Sequence, residues 1–370
     1  MQKIYNNSQI LKNSICSVIT GTGSYIPSRK VHNDDFLGNE FYDLNGNKFE
    51  NNNQEIIGKF EKITEISERR YVTDDLVTSD IAFSAGKSAI SSSGIDPEQL
   101  DYIIVAHNFG DIQANNKRSE FVPTLAARVK HKLGIHNPGC IPYDLPFGCP
   151  GWLQGMIQAD SFIKSGDAKK IMVIGAETLS RVIDPHDRDG MIYADGAGAT
   201  IVESKVSNEP VGILSHCTRS YCNEEAFALW MDHSFNPTFN ENLLFLKMHG
   251  RKLYEYALKV VPQVIKESME KAGIYLKDIY KLLIHQANAK MDKAILDRLY
   301  NLFGEKQIPQ DIMPMTISWL GNSSVATVPT LLDLFFNGKL DNHSSREGSI
   351  LVFASVGAGM NINSMVYKSK

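Results

Sequence analysis

Two stretches of this chain repeat one plan. Ser93-Gly94-Ile95, a short polar link and the apolar run Tyr102-Ile103-Ile104-Val105-Ala106 align without gaps on Ala272-Gly273-Ile274, a link, and Lys281-Leu282-Leu283-Ile284-His285. In both, a helical pattern stops at the glycine and a strand pattern starts after the link. Gly94 falls on Gly273 and Ala106 on His285, at an offset close to half of the 370 residues. A helix-then-strand unit repeated at that distance implies an internal duplication, two α/β halves of similar plan. The polar stretch Ser204 to Pro210 is the seam, dividing residues 1–205 from 206–370.

Further elements follow from local pattern. Ser79 to Ser92, Gln54 to Ile66 and Pro123 to Leu133 have helical periodicity, and a long helix is expected from about Leu246 to Ala272. Lys170 to Gly175 is a near-continuous apolar run, a strand buried on both faces. Ser17 to Tyr25 reads as a strand entering a turn at Gly21-Thr22-Gly23, and those glycines lack the spacing of a nucleotide loop. Residues Asn39 to Asn53 and Asn108 to Glu120 read as polar loops, and Asp195 to Ala199 as a lead into a strand over Thr200 to Glu203. The pair Arg69-Arg70 is expected on a solvated face.

Composition excludes several functions. A net charge of −4 implies no polyanion partner, so no nucleic acid is expected. Five cysteines, odd in number and without C-x-x-C spacing, fit a reduced, cytoplasmic protein and no zinc site. Met1 to Asn13 has no apolar core, hence no signal peptide is expected, and no run is long enough to span a membrane.

Active groups in such sheets gather beyond the C-terminal ends of strands. Cys149, in Pro146-Phe147-Gly148-Cys149-Pro150-Gly151-Trp152, lies between a strand over Cys140 to Leu145 and a helix running to Ser165-Gly166, with Pro150 suited to the first helical position. A helix N-terminus lowers a thiol's pKa, so Cys149 is a candidate nucleophile as well as an ordinary buried cysteine. His285 closes a strand; Asn322 sits in a Gly-Asn turn before the helical Val325 to Phe336; Gly357-Ala358-Gly359 ends the last strand and offers backbone amides to an oxyanion. A thiolate can hold an acyl group, while an imidazole and a carboxamide can stabilise an enolate formed by decarboxylation. That chemistry needs no metal or redox cofactor. Cys, His and Asn in this order also describe papain-like hydrolases, although their Cys-Gly-x-Cys-Trp signature is absent. Acyl transfer to an alcohol or amine without condensation, and a non-catalytic partner subunit, are further readings.

These residues carry a resemblance. Gly21-Thr22-Gly23-Ser24-Tyr25-Ile26-Pro27, Glu68-Arg69-Arg70, the cysteine turn, Asp184-Pro185-His186-Asp187-Arg188, Asp195-Gly196-Ala197-Gly198-Ala199, His285-Gln286-Ala287-Asn288, Gly321-Asn322-Ser323-Ser324 and Gly357-Ala358-Gly359 appear in family order over nearly the whole chain. The chain resembles β-ketoacyl-acyl-carrier-protein synthase III and its thiolase-fold relatives. The resemblance implies a five-layered αβαβα subunit, usually a homodimer, acting on acyl-coenzyme A or acyl-carrier-protein thioesters. It implies Cys149 as acyl acceptor, His285 and Asn322 as the decarboxylation pair, and the amides of Cys149 and Ala358 as oxyanion hole. Arg188, Phe147 and Asn288 would contact substrate or coenzyme A. Phe147, Trp230 and Phe245 are the aromatic candidates for the acyl pocket.

The chain departs from the family in three places. The turn reads Gly148-Cys149-Pro150-Gly151 instead of Ala-Cys-Ala-Gly. Lys59 and Ile63 stand where a tryptophan and an arginine sandwich the adenine, and the loops at Asn39 to Asn53 and Asn108 to Glu120 are enlarged, the second near the family's acyl channel. These changes point to a specialised branch in secondary metabolism, such as ketosynthases joining two β-ketoacyl chains toward dialkylresorcinol-type products, with a carrier-bound or unusual acyl donor.

Overall fold

A computed structural model describes residues 14–239 and 242–370; the Met1 to Asn13 reading lies outside them. β1 (Ser14–Tyr25) is followed by a ribbon of β2 (Arg29–His32) and β3 (Glu68–Tyr71) with α1 (Asn53–Thr64) between its strands. Then come α2 (Thr78–Ser93), β4 (Tyr102–Ala106), a hairpin of β5 (Asp111–Gln113) and β6 (Asn116–Glu120), α3 (Leu125–Lys132), β7 (Ile141–Leu145), α4 (Gly151–Ser165), β8 (Lys170–Thr178) and β9 (Asp195–Ser207). The remainder is β10 (Gly212–Ser220), α5 (Cys222–Glu225), a ribbon of β11 (Leu229–Asp232) and β12 (Phe245–Met248), α6 (Gly250–Ala272), β13 (Ile279–Ile284), α7 (Ala289–Leu302), α8 (Ile317–Leu320), α9 (Thr327–Phe336), β14 (Ile350–Gly357) and β15 (Asn361–Lys368).

Two sheets result, ordered β1-β9-β8-β4-β7 and β10-β15-β14-β13. β1 pairs antiparallel with β9, β9 antiparallel with β8, and β8 parallel with β4. β10, β15, β14 and β13 repeat that sequence of senses. The β4–β7 pair is parallel and extends the first sheet by one strand. Apolar side chains of α4 and α9 share one core with β4, β8, β13 and β14, so these helices lie between the sheets. α2 and α3 pack on the outer face of the first sheet, α6 and α7 on that of the second. The order of layers is αβαβα.

Several local expectations change. Gly21 and Gly23 lie within β1, not in a turn after it. The reason they are glycines is the close approach of α2: a Cβ on Gly23 would lie 2.4 Å from the Ala89 nitrogen and 2.5 Å from the Ala85 carbonyl oxygen. Gly23→Ala is therefore expected to destabilise the fold by about 1–3 kcal/mol or more, read as a lowered urea midpoint, because neither contact is a movable side-chain tip.

Arg69 is fully buried, not solvated. Its guanidinium donates to Met191 O (3.0 Å), Val31 O (3.2 Å) and Asn33 Oδ1 (2.7 Å) and stacks over Phe36 and Phe60. A buried cation is tolerable only when so many acceptors surround it. Asn108 to Glu120 contains a hairpin, held where Asp111 accepts from Ser79 and Arg128. β9 begins at Asp195, and Leu246 to Met248 belong to β12 ahead of α6.

Candidate active site

Cys149 and Asn322 are each placed by backbone that glycine makes possible. After β7 the chain turns at Gly148, whose φ is +66°, and Gly151 N closes the turn onto Gly148 O at 3.0 Å before α4. Pro150 takes the cap position, one residue earlier than expected. A Cβ on Gly148 would lie 2.9 Å from the Ala358 nitrogen, and one on Gly357 would lie 2.5 Å from the Cys149 nitrogen. The absence of side chains at 148 and 357 lets the cysteine turn and the Gly357-Ala358-Gly359 turn meet backbone to backbone.

His285 follows β13, its N–H donating to Ala354 O at 2.8 Å. Its neighbour Gln286 is fully buried; Oε1 accepts from Thr316 and Ile317 N–H, and Nε2 donates to Pro314 O. The residue beside the histidine thus fixes the loop that leads to Asn322. At Gly321, φ +69°, a Cβ would lie 2.7 Å from Arg69 Cβ. Asn322 then pairs with the 192–194 backbone, donating to Ile192 O and accepting from Ala194 N. Asn322 Oδ1 accepts from Ser324 N at 2.8 Å, which leaves the amide N–H groups free to donate.

Cys149, His285 and Asn322 line one cavity of about 200 Å³, with Gly357 and Ala358 at the same end. Phe109, Leu179, Trp230 and Leu246 form its apolar part. An outer cavity of about 540 Å³ adjoins it through Met248, Leu253, Met291 and Asn322, and carries Lys59, Ile63, Arg188, Arg251 and Asn288 toward the surface. Asn288 caps α7 with its side-chain oxygen, and Arg188 lies 4.6 Å over the Phe49 ring. Through Phe49 the Asn39 to Asn53 segment reaches this mouth, and Tyr42 N donates to His186 O at 2.9 Å. The fully buried Lys247 pairs with Asp184 and, at 3.7 Å, with Asp187, tying the Arg188 loop to β12.

Two aromatic candidates fall elsewhere. Phe147 is half-buried and lines neither cavity. Phe245 and Lys247 point away from the cavity because alternate residues of β12 face opposite sides, and Leu246 and Met248 take the cavity side. Conversely, Asn108 and Ser324 reach the cysteine. Ser324 Oγ donates to Cys149 Sγ at 3.2 Å, and Asn108 Nδ2 donates to Ser324 Oγ at 3.4 Å. The repeat carried a signal for Asn108, since Ala106 falls on His285 and the residues after it must lie at a strand end beside the same site.

Burial sets the charge states. It pushes the Cys149 thiol up to about 11, opposed by the Ser324 hydrogen bond, contrary to the lowering expected from the helix end alone. At rest Cys149 is a neutral thiol. Burial lowers His285 to about 4, opposed by a backbone hydrogen bond with Ser324, so the ring is neutral throughout the physiological range. The unfolded chain binds a proton at this residue below about 6.5, while the folded one does so only near 4. Stability is thus lost as pH falls across that window. Comparing wild type with His285→Gln by denaturant titration, the difference in unfolding free energy is expected to shift by about 2–3 kcal/mol between pH 7.5 and 4.5.

Among the described residues no cluster of three His, Cys, Asp or Glu could hold a metal, and no helix is long and apolar enough to cross a membrane. The family described as 3-Oxoacyl-[acyl-carrier-protein (ACP)] synthase III matches residues 143–221, and its C-terminal counterpart matches 269–369. A β-ketoacyl-[acyl-carrier-protein] synthase III of Xanthomonas euvesicatoria is 32% identical over 351 residues, covering 93% of this chain and 96% of that protein. The solved 3-oxoacyl-[acyl-carrier-protein] synthase III of Aquifex aeolicus superposes with a TM-score of 0.76 at 28% identity, over 95% of this chain and 99% of that one. That of Thermus thermophilus gives 0.77 at 29%, over 95% and 99%. The αβαβα layers and the likeness along nearly the full length agree: this chain belongs to the β-ketoacyl-[acyl-carrier-protein] synthase III family, transferases of the condensing, thiolase-fold type.

Proposed function

We propose that Cys149 accepts the acyl group of a thioester and that His285 and Asn322 drive the decarboxylation that follows. In the first step the Cys149 sulfur bonds to the acyl carbon, the donor's carbon–sulfur bond breaks, and the thiol proton leaves with the departing thiol. The amides of Cys149 and Ala358 stabilise the tetrahedral oxyanion. In the second step a malonyl thioester loses carbon dioxide from its free carboxylate; neutral His285 and the Asn322 amide donate to the enolate oxygen. The resulting carbanion bonds to the acyl carbon, and the electron pair of the broken bond returns to Cys149 sulfur. The observation that carries this reading is the single cavity lined by all three side chains, with both amides at one end.

The outer cavity suits the arm that delivers the thioester. Arg188, Lys59 and Arg251 at its mouth can meet phosphate groups or an acidic carrier protein, and Asn288 can hydrogen-bond the arm. The missing adenine sandwich at Lys59 and Ile63 favours a carrier-borne acyl donor over coenzyme A, and with it a specialised role. We place the nucleophile half at residues 1–205 and the His/Asn half at 206–370. A homodimer paired along β7, the edge strand of the first sheet, and a cytoplasmic location complete the reading.

Intact-mass analysis after incubation with a panel of acyl-coenzyme A and acyl-carrier donors tests it. One acyl adduct, mapped to Cys149, is expected, larger from carrier donors, with carbon dioxide released on adding a malonyl thioester. An adduct on another cysteine overturns the assignment. Strong preference for acetyl-coenzyme A with malonyl-carrier protein rejects the specialised role. Transfer to an alcohol or amine without carbon dioxide release would favour the non-condensing reading.

A further inference from the structure

Glu177 is fully buried at the end of β8, and no salt bridge joins it among the described residues. Asn108 is its principal donor, and the Phe109 N–H is hydrogen-bonded to it as well. Asn108 donates to it from the backbone N–H (3.2 Å) and from Nδ2 (2.6 Å). The same Nδ2 donates its second hydrogen to Ser324 Oγ at 3.4 Å, and the hydroxyl, its acceptor side engaged, donates to Cys149 Sγ at 3.2 Å. Ser324 is held for this contact at φ +52°, where a non-glycine residue is strained, by its N–H bond to Asn322 Oδ1. β8 also meets this turn closely, since a Cβ on Gly175 would lie 2.4 Å from Val325 O. The chain Glu177–Asn108–Ser324–Cys149 joins four separate segments, and the condensation chemistry uses only its last member.

We propose that Glu177 and Asn108 are positioning residues that commit the Ser324 hydroxyl hydrogen to the Cys149 sulfur, and that this chain sets how readily the thiol ionises. The inference rests on Cys149 being the reacting sulfur. It concerns charge and orientation, not proton transfer: an amide N–H does not carry a proton from Glu177 to Ser324. Ser324 touches the reacting atom and stabilises negative charge on sulfur, both when the thiol is deprotonated and when the electron pair returns to it after condensation. Glu177 acts in two ways. It orients Asn108, and when ionised its own negative charge, fully buried and so weakly screened, opposes that of the thiolate. Burial raises Glu177 to about 7, with the His107 ring and the Asn108 hydrogen bonds opposing. The other titratable groups facing the sulfur are Tyr193, raised by burial, and the neutral His285.

The test is the pH profile of Cys149 alkylation by iodoacetamide in the full-length protein, with the site mapped by peptide mass and the fold checked by thermal melting. Ser324→Gly removes the hydroxyl where glycine suits the backbone. Its profile is expected to move to higher pH, with the rate at a fixed pH below the midpoint falling roughly tenfold, the effect of about one pKa unit. Glu177→Gln keeps the acceptor for Asn108 but removes the charge, so the profile is expected to move to lower pH. Asn108→Ala cuts the chain, and in that background Ser324→Gly is expected to cost less than in the wild type, a non-additivity that marks coupling. A merely structural role would lower melting temperatures and leave the midpoints in place. Coincident midpoints for all variants, or strictly additive effects of Asn108→Ala and Ser324→Gly, overturn the proposal. Because alkylation needs no acyl donor, a shifted profile stands even if the acyl adduct maps elsewhere, and an unshifted one fails even if Cys149 is acylated.

Discussion

Cys149→Ala is expected to abolish the acyl-enzyme and to cut condensation by on the order of 10⁶-fold, the scale on which removing a nucleophile disables a set of groups that act as one. The physical reason lies in how the site is built. Among the described residues Cys149 is the one thiol that lines the cavity shared by His285 and Asn322. The other cysteines do not line it: Cys16, Cys140 and Cys217 are buried elsewhere, and Cys222 lies exposed beyond Gly359. The alanine variant should still fold and bind thioesters, since Cys149 supplies one weak hydrogen-bond acceptor and little packing. Intact mass after incubation with donor, beside a thermal melt with and without donor, reads both. A normal acyl adduct in the variant would place the acyl acceptor elsewhere and sink the assignment.

The duplication was legible because it leaves a local signature, a glycine stop followed by an apolar run, at Gly94 and again at Gly273. Cys149 and His285 could be read as residues beyond strand ends and Asn322 as a Gly-Asn turn residue, and all three line one cavity. What could not be read was tertiary. Arg69 looks like any surface arginine until Met191 O, Val31 O and Asn33 Oδ1 surround it. Gly21 and Gly23 look like a turn, because the sequence carries no mark of α2 crossing β1 against them. Phe245 was misplaced by one step of strand alternation, which no periodicity fixes without knowing which face of β12 is covered. The helix end predicts a lowered thiol, whereas desolvation of the sulfur in its cavity and the nearby Glu177 raise it. The family's fold also sets aside the papain-like hydrolase, whose Cys-His-Asn order coincides with this one while its cysteine signature is absent.

The second large effect separates the two halves of the reaction. Asn322→Ala is expected to leave acylation of Cys149 within a few-fold of wild type and to lower carbon dioxide release about 10²–10³-fold, the usual cost of one oxyanion donor. Asn322 contributes through its amide N–H groups, which become important only when negative charge develops on the enolate oxygen. In the proposed mechanism the acyl-transfer oxyanion is met instead by the backbone amides of Cys149 and Ala358, which the substitution leaves in place. Some decarboxylation is expected to survive because His285, whose ring stays neutral down to about pH 4, can still donate. The substitution also releases Ser324 N from Asn322 Oδ1, so a modest rise in the alkylation midpoint of Cys149 accompanies it. Single-turnover experiments that load the acyl group first and add the malonyl thioester second keep the two steps apart. If acylation falls as far as decarboxylation, Asn322 acts through the cysteine and not on the enolate, and the division of labour between the two halves of the chain is wrong.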